Sequence, residues 1–182
     1  TASLSHESNT SSSLLSGRPP VILYVPCDEE SLTPYQCLAR KQIELFEAQQ
    51  SDVEAGTQKR SIVLGQVGIR CRHCGKLSLR ERARGSTYFP SKLNGLYQAG
   101  QNMANSHLIR YCHVIPQEIR DELVLLGNRK SGAGGGRDYW SGGGRICGRG
   151  DEERGASLLG TARFLREFVN WFFACAGVGV VL

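Results

Sequence analysis

The sequence predicts an α+β fold: a small zinc-stabilised domain with a short hairpin or knuckle and about three helices, flanked by disordered segments. Three observations lead there. Short β-branched runs alternate with patterns of helical period along the middle of the chain. Cys71 and Cys74 stand in a C-x2-C pair, with further histidine and cysteine downstream in SHLIRYCHVIP. The chain's ends are poor in periodic apolar residues or rich in glycine, so the packed part must be shorter than the 182-residue chain.

Residues 1–20, TASLSHESNTSSSLLSGRPP, carry seven serines and almost no periodic apolar pattern, so burial does not offset the entropy of ordering them. They are expected to be a disordered arm. Residues 129–155 include KSGAGGG and SGGGRICGRG and read as a glycine-rich linker. Residues 21–128 are left as the C-x-x-C zinc-binding domain, a length of about 110 residues that buries only a modest core and gains from a bound metal. Residues 156–182 are an apolar C-terminal helix or tail. Its most apolar stretch, 168–182, falls short of the roughly 20 residues of a membrane span.

Within the domain, VILYV at 21–25 reads as a strand before Pro26. Thr33, Pro34 and Gln36 then match a capping box with proline at the first helical position. The helix they open is expected to run to about Ala48, with Tyr35, Leu38, Gln42, Leu45 and Phe46 inward and Arg40, Lys41, Glu44 and Glu47 outward. SIVLGQVGIRC at 61–71 reads as a strand whose glycines permit a close approach, and GSTYFP at 85–90 as a second one. Ser91 suits the N-cap of the next helix, on which Leu93, Leu96, Gly100, Met103 and His107 share a face. Pro116 opens a last helix with Ile119, Leu123 and Leu126 on one side and Gly127 at its end.

The C-x2-C spacing lets two thiolates reach one zinc at roughly 2.3 Å while the backbone amides between them stabilise the sulfurs. Two more ligands must come from downstream. On a continuous helix Cys112 lies five residues, or about 140°, round from His107, so both reach one metal only if the helix unwinds near Tyr111. His113 lies about 240° round and needs a larger rearrangement. The expected ligands are therefore Cys71, Cys74, His107 and Cys112, with His113 as the alternative fourth. A redox dithiol is the competing reading of the pair, but such cysteines open a helix after a strand, and here Gly75 and a mixed polar segment follow. His73 is expected to face solvent. Cys27, Cys37, Cys147 and Cys175 have no consistent spacing and read as buried or free thiols.

GQVGIRCRHC, YFPSKLNGLYQAGQNMANSHL, IPQEIRDEL and KSGAGGGRDYW, preceded by LYVPCDEESLTPYQCLARKQIELFEA, resemble an uncharacterised C-x-x-C zinc-finger-like domain family of predicted microalgal proteins. The likeness spans about residues 22–140. It implies a shared fold and an intracellular setting, and the family brings no established activity with it. BED-type fingers and the zinc repeats of apoptosis inhibitors are similar only in the order C-x2-C, His, then Cys or His.

Charge and motif content narrow the function. From Lys59 to Lys92 nine Lys or Arg residues face one acid, Glu81. The strip Arg70, Arg72, Lys76, Arg80, Arg82 and Arg84 is expected to meet nucleic-acid phosphate, with a protein-protein interaction module holding purely structural zinc as the alternative. An enzyme is not expected, because no Ser/His/Asp set, H-E-x-x-H or paired carboxylate is found, and GAGGGR lacks the G-K-[ST] ending of a phosphate loop. Neither a small-molecule substrate nor a membrane partner is expected. An odd count of seven cysteines fits reduced thiols in an intracellular compartment, the nucleus included, better than a disulfide framework.

Overall fold

The computed structural model describes residues 19–55, 61–91, 93–127 and 139–140. Residues 1–18 of the serine-rich arm, nearly all of the glycine-rich segment and the apolar C-terminal stretch lie outside the described residues, as do Cys147 and Cys175. The fold is α+β. In chain order it runs β1 (Val21–Ile22), α1 (Asp28–Ser31), α2 (Pro34–Lys41), β2 (Ile43–Glu47), α3 (Gln50–Glu54) and β3 (Val67–Cys71). A 3₁₀ turn (Cys74–Lys76), β4 (Thr87–Tyr88), α4 (Leu93–Asn102), a π-helix (Met103–Tyr111) and α5 (Gln117–Gly127) follow.

The strands form one antiparallel sheet in the order β1-β2-β3-β4, so consecutive strands are neighbours. Only Val21 and Ile22 of the VILYV run pair along the ladder, against Leu45 and Glu44. Leu23 donates one more bond to the Ile43 carbonyl at 2.8 Å and then turns fully into the core.

The capping box at Thr33 and Gln36 is present, with Pro34 in the first turn, as the sequence indicates. The helix, however, stops at Lys41 rather than near Ala48. Residues 43–47 leave it to become β2, which pairs over its whole length with β3. The run IELFE satisfies helical spacing and strand alternation together, and the pairing decides between them. Leu45 lies opposite Ile69, both buried, and Glu44 lies opposite Arg70, with Oε1 and Nε 2.6 Å apart. On the face that Glu44 and Arg70 share, Phe46 meets Phe89, ring centroids 5.4 Å apart, and the Arg70 guanidinium covers Phe46. Gly68 stands opposite Phe46, and a Cβ there would lie 2.8 Å from the Phe89 ring, so the close approach read from its glycine is real.

The shortened helix also reverses one expected orientation. Arg40 does not face solvent: it is 4% exposed and its Nε donates to the buried carboxylate of Asp28 at 2.7 Å. Burying this pair is tolerable because its remaining polar atoms are bonded. Asp28 Oδ2 also accepts from the Val25 amide, and Arg40 donates to the Leu23 carbonyl.

Leu96, Gly100, Met103 and His107 point inward from α4 and the π-helix, as their spacing predicts. Leu123 is fully buried on α5 with Ile119 and Leu126 half-buried beside it, and this face packs towards α2. Tyr139 and Trp140 join the same core, 8% and 2% exposed, so packed structure continues past residue 128. No helix among the described residues is long and apolar enough to cross a membrane.

Candidate metal centre

Three elements, one of them with its cap residue, bring four ligand atoms to a single point. Cys71 ends β3, its amide donating to the Ser86 carbonyl at 2.8 Å, and so sits at the rim of the sheet. Cys74 opens the 3₁₀ turn, whose Leu77 amide closes back on the Cys74 carbonyl at 3.0 Å. His107 comes from the π-helix and Cys112 from the residue that caps it. All four residues are fully buried, and their ligand atoms lie within 4.8 Å of one another, a set that could hold a metal ion.

Three of the six ligand–ligand distances match the edges of a tetrahedral site. Metal–sulfur bonds of about 2.3 Å give sulfur–sulfur edges of about 3.8 Å, and a metal–nitrogen bond of about 2.0 Å gives sulfur–nitrogen edges of about 3.5 Å. Cys112 Sγ lies 3.8 Å from Cys71 Sγ and 3.7 Å from Cys74 Sγ, while Cys74 Sγ lies 3.4 Å from His107 Nε2. A disulfide needs about 2.05 Å, and Cys71, Cys74 and Cys112 are not joined by one.

The helix solves the angular problem of Cys112 by widening before it ends. From Met103 to Tyr111 the backbone follows a π-helical path, and the Cys112 amide closes a five-residue turn on the His107 carbonyl at 2.7 Å. That wider turn carries Cys112 back beneath His107, where an α-helical turn would leave it well round the axis. Arg120 fixes the end from outside, donating to the Ile109 and Cys112 carbonyls. His113, the alternative fourth ligand, is exposed and is not among the four that converge.

Outer contacts orient the imidazole. His107 Nδ1 lies 2.9 Å from the Arg84 carbonyl, so Nδ1–H donates there and Nε2 is aimed at the thiols. Without a metal the thiols divide one ionisation unevenly. The Cys71 S–H donating to Cys112, with burial, pushes the Cys71 thiol far above the ordinary range. Burial pushes Cys74 up to about 11. Cys112 accepts from Cys71 and is lowered to about 3, so it carries the thiolate. His73, expected at the surface, is instead half-buried with Nε2 2.9 Å from Gln42 Oε1, and burial lowers its pKa.

The basic strip divides. Arg70 is paired with Glu44, Arg72 donates to the Lys41 carbonyl at 3.2 Å, and Arg82 donates to the Leu77 carbonyl at 3.2 Å with Asp52 3.8 Å away. Lys76, Arg80 and Arg84 are exposed. Spacing singles out the four ligand candidates, but it carries no sign of the Arg84 carbonyl or of Arg120, whose roles depend on where the chain folds back.

No protein-family model, no curated protein and no solved structure matches this chain.

Proposed function

We propose that the protein is a binding module held together by one structural zinc ion, and that it contacts nucleic-acid phosphate through Lys76, Arg80 and Arg84. The observation that carries the first half is the convergence of Cys71, Cys74, His107 and Cys112 at tetrahedral spacing. Three thiolates and one imidazole suit zinc, and four protein ligands leave no coordination position for water or substrate. This supports a structural rather than a catalytic ion, and a module rather than an enzyme or a redox dithiol. When bound, the metal ties the rim of the sheet to the end of the π-helix, reinforcing the His107–Arg84 hydrogen bond and the packing between them.

The second half rests on the division of the strip. A guanidinium already bonded inside the fold has little to offer a phosphate, whereas the exposed Lys76 ends the 3₁₀ turn and the exposed Arg80 and Arg84 lie on the loop between that turn and β4. Titrating duplex DNA and single-stranded RNA at increasing salt tests this. Three phosphate contacts give a log–log slope of about −2.7 on duplex and about −2.1 on single strands. Substituting Lys76, Arg80 and Arg84 together by glutamine should remove most of that slope and leave the fold intact. A second reading, protein interaction around the same structural zinc, is favoured by Val124 and Leu125 on α5, which are 41% and 58% exposed. Absence of salt-sensitive binding to either nucleic acid would transfer the conclusion to it.

A further inference from the structure

The buried Asp28–Arg40 pair lies under Tyr139 and Trp140, and the contact has the form of a ligand in a groove. Tyr139 Oη donates to Asp28 Oδ1 at 2.8 Å, the one oxygen of that carboxylate not engaged by Arg40 or the Val25 amide. The Arg40 guanidinium lies over the Trp140 ring at 4.7 Å and the Tyr139 ring at 5.9 Å. Tyr97 meets Trp140 edge-on, centroids 5.9 Å apart. Gly100 forms the floor: a Cβ there would run into the indole ring.

We propose that this groove is a peptide-binding site for an aromatic dipeptide, a phenol donor followed by an indole, and that Tyr139–Trp140 of the same chain occupies it as a displaceable strap. Two features distinguish a strap from a fixed piece of core. The pair beneath it is bonded without it, since Arg40 retains Asp28 and the Leu23 carbonyl, so opening admits water to a matched ion pair and orphans no charge. Trp140 Nε1–H is buried without a partner among the described residues, so leaving the groove restores a hydrogen bond that docking gave up. Eleven residues, NRKSGAGGGRD, join α5 to the strap, and covalent linkage over so short a stretch gives an effective concentration near the millimolar range, enough to keep a weak dipeptide docked in cis.

The test uses the full chain with a protease site in place of residues 132–136, cut after folding. The probe is a fluorescein-labelled peptide of sequence GRDYWSG. On dilution the downstream fragment should leave and the probe should replace it saturably, with zinc content and far-ultraviolet circular dichroism unchanged. A probe with alanine for tryptophan should bind at least tenfold more weakly. The uncut Trp140→Ala chain should also take up the probe, whereas the uncut native chain should not at micromolar concentration. A fragment that never exchanges, or whose departure unfolds the domain, makes Tyr139–Trp140 a fixed part of the core and overturns the proposal. Failure of the Trp140→Ala chain to fold does the same.

Discussion

Metal binding should release about two protons per chain at pH 7, because of how the empty cluster holds its thiols. Cys112 is already ionised there, lowered to about 3 by the hydrogen bond from Cys71. Cys71 and Cys74 are both protonated, the first by its bond to Cys112 and by burial, the second by burial, which raises it to about 11. His107 keeps Nδ1 on the Arg84 carbonyl, which leaves Nε2 to face the metal. A metal that takes three thiolates therefore expels the two protons on Cys71 and Cys74. Since binding releases protons, affinity rises with pH, by roughly a hundredfold per unit around neutrality. Calorimetric titration of metal into the chelated protein, in two buffers of different ionisation enthalpy, reads the number directly. A value near three refutes the reasoning, because it is what three independent thiols of ordinary pKa in an unfolded chain would give. A value near zero would mean that the cysteines are not ligands.

Other outcomes follow from particular contacts. Arg40→Met leaves the Asp28 carboxylate buried without its cation and should cost about 3–5 kcal/mol in denaturant unfolding; a loss below about 1 kcal/mol would show that water reaches the pair. Leu45→Ala opens a cavity opposite Ile69 and should cost about 2–5 kcal/mol, with slowed amide exchange over residues 43–47 in the native protein reporting strand rather than helix pairing with residues 67–71. Arg120→Ala strands the Ile109 and Cys112 carbonyls at the end of the π-helix and should cost about 1–3 kcal/mol, together with weaker metal retention against a chelator.

The convergence of Cys71, Cys74, His107 and Cys112 was legible because metal chemistry is written in residue type and spacing. The need for the helix to depart from α geometry near Tyr111 was also legible, since 140° separates His107 from Cys112 on a regular helix. The way it departs was not: a π-helical stretch has no signature in MANSHLIRY, and it forms where the Cys112 amide finds the His107 carbonyl. IELFE was misread for a related reason. Its apolar residues fit both periods, and the choice is made by β3, a strand more than twenty residues later in sequence. Arg40 looked like a solvated charge because the residue that buries it, Asp28, sits in a short helix with no periodic pattern. The basic strip looked uniform in sequence, and half of it proved to be bonded within the fold once Glu44, Lys41 and Leu77 were placed.

X-ray absorption at the zinc edge, on full-length protein purified without added chelator, tests the metal centre most directly. One zinc per chain with three sulfur neighbours at about 2.3 Å and one nitrogen at about 2.0 Å is the expected result. A chain that carries no metal, a Cys71–Cys74 disulfide by mass, or a shell of nitrogen and oxygen without sulfur would contradict it.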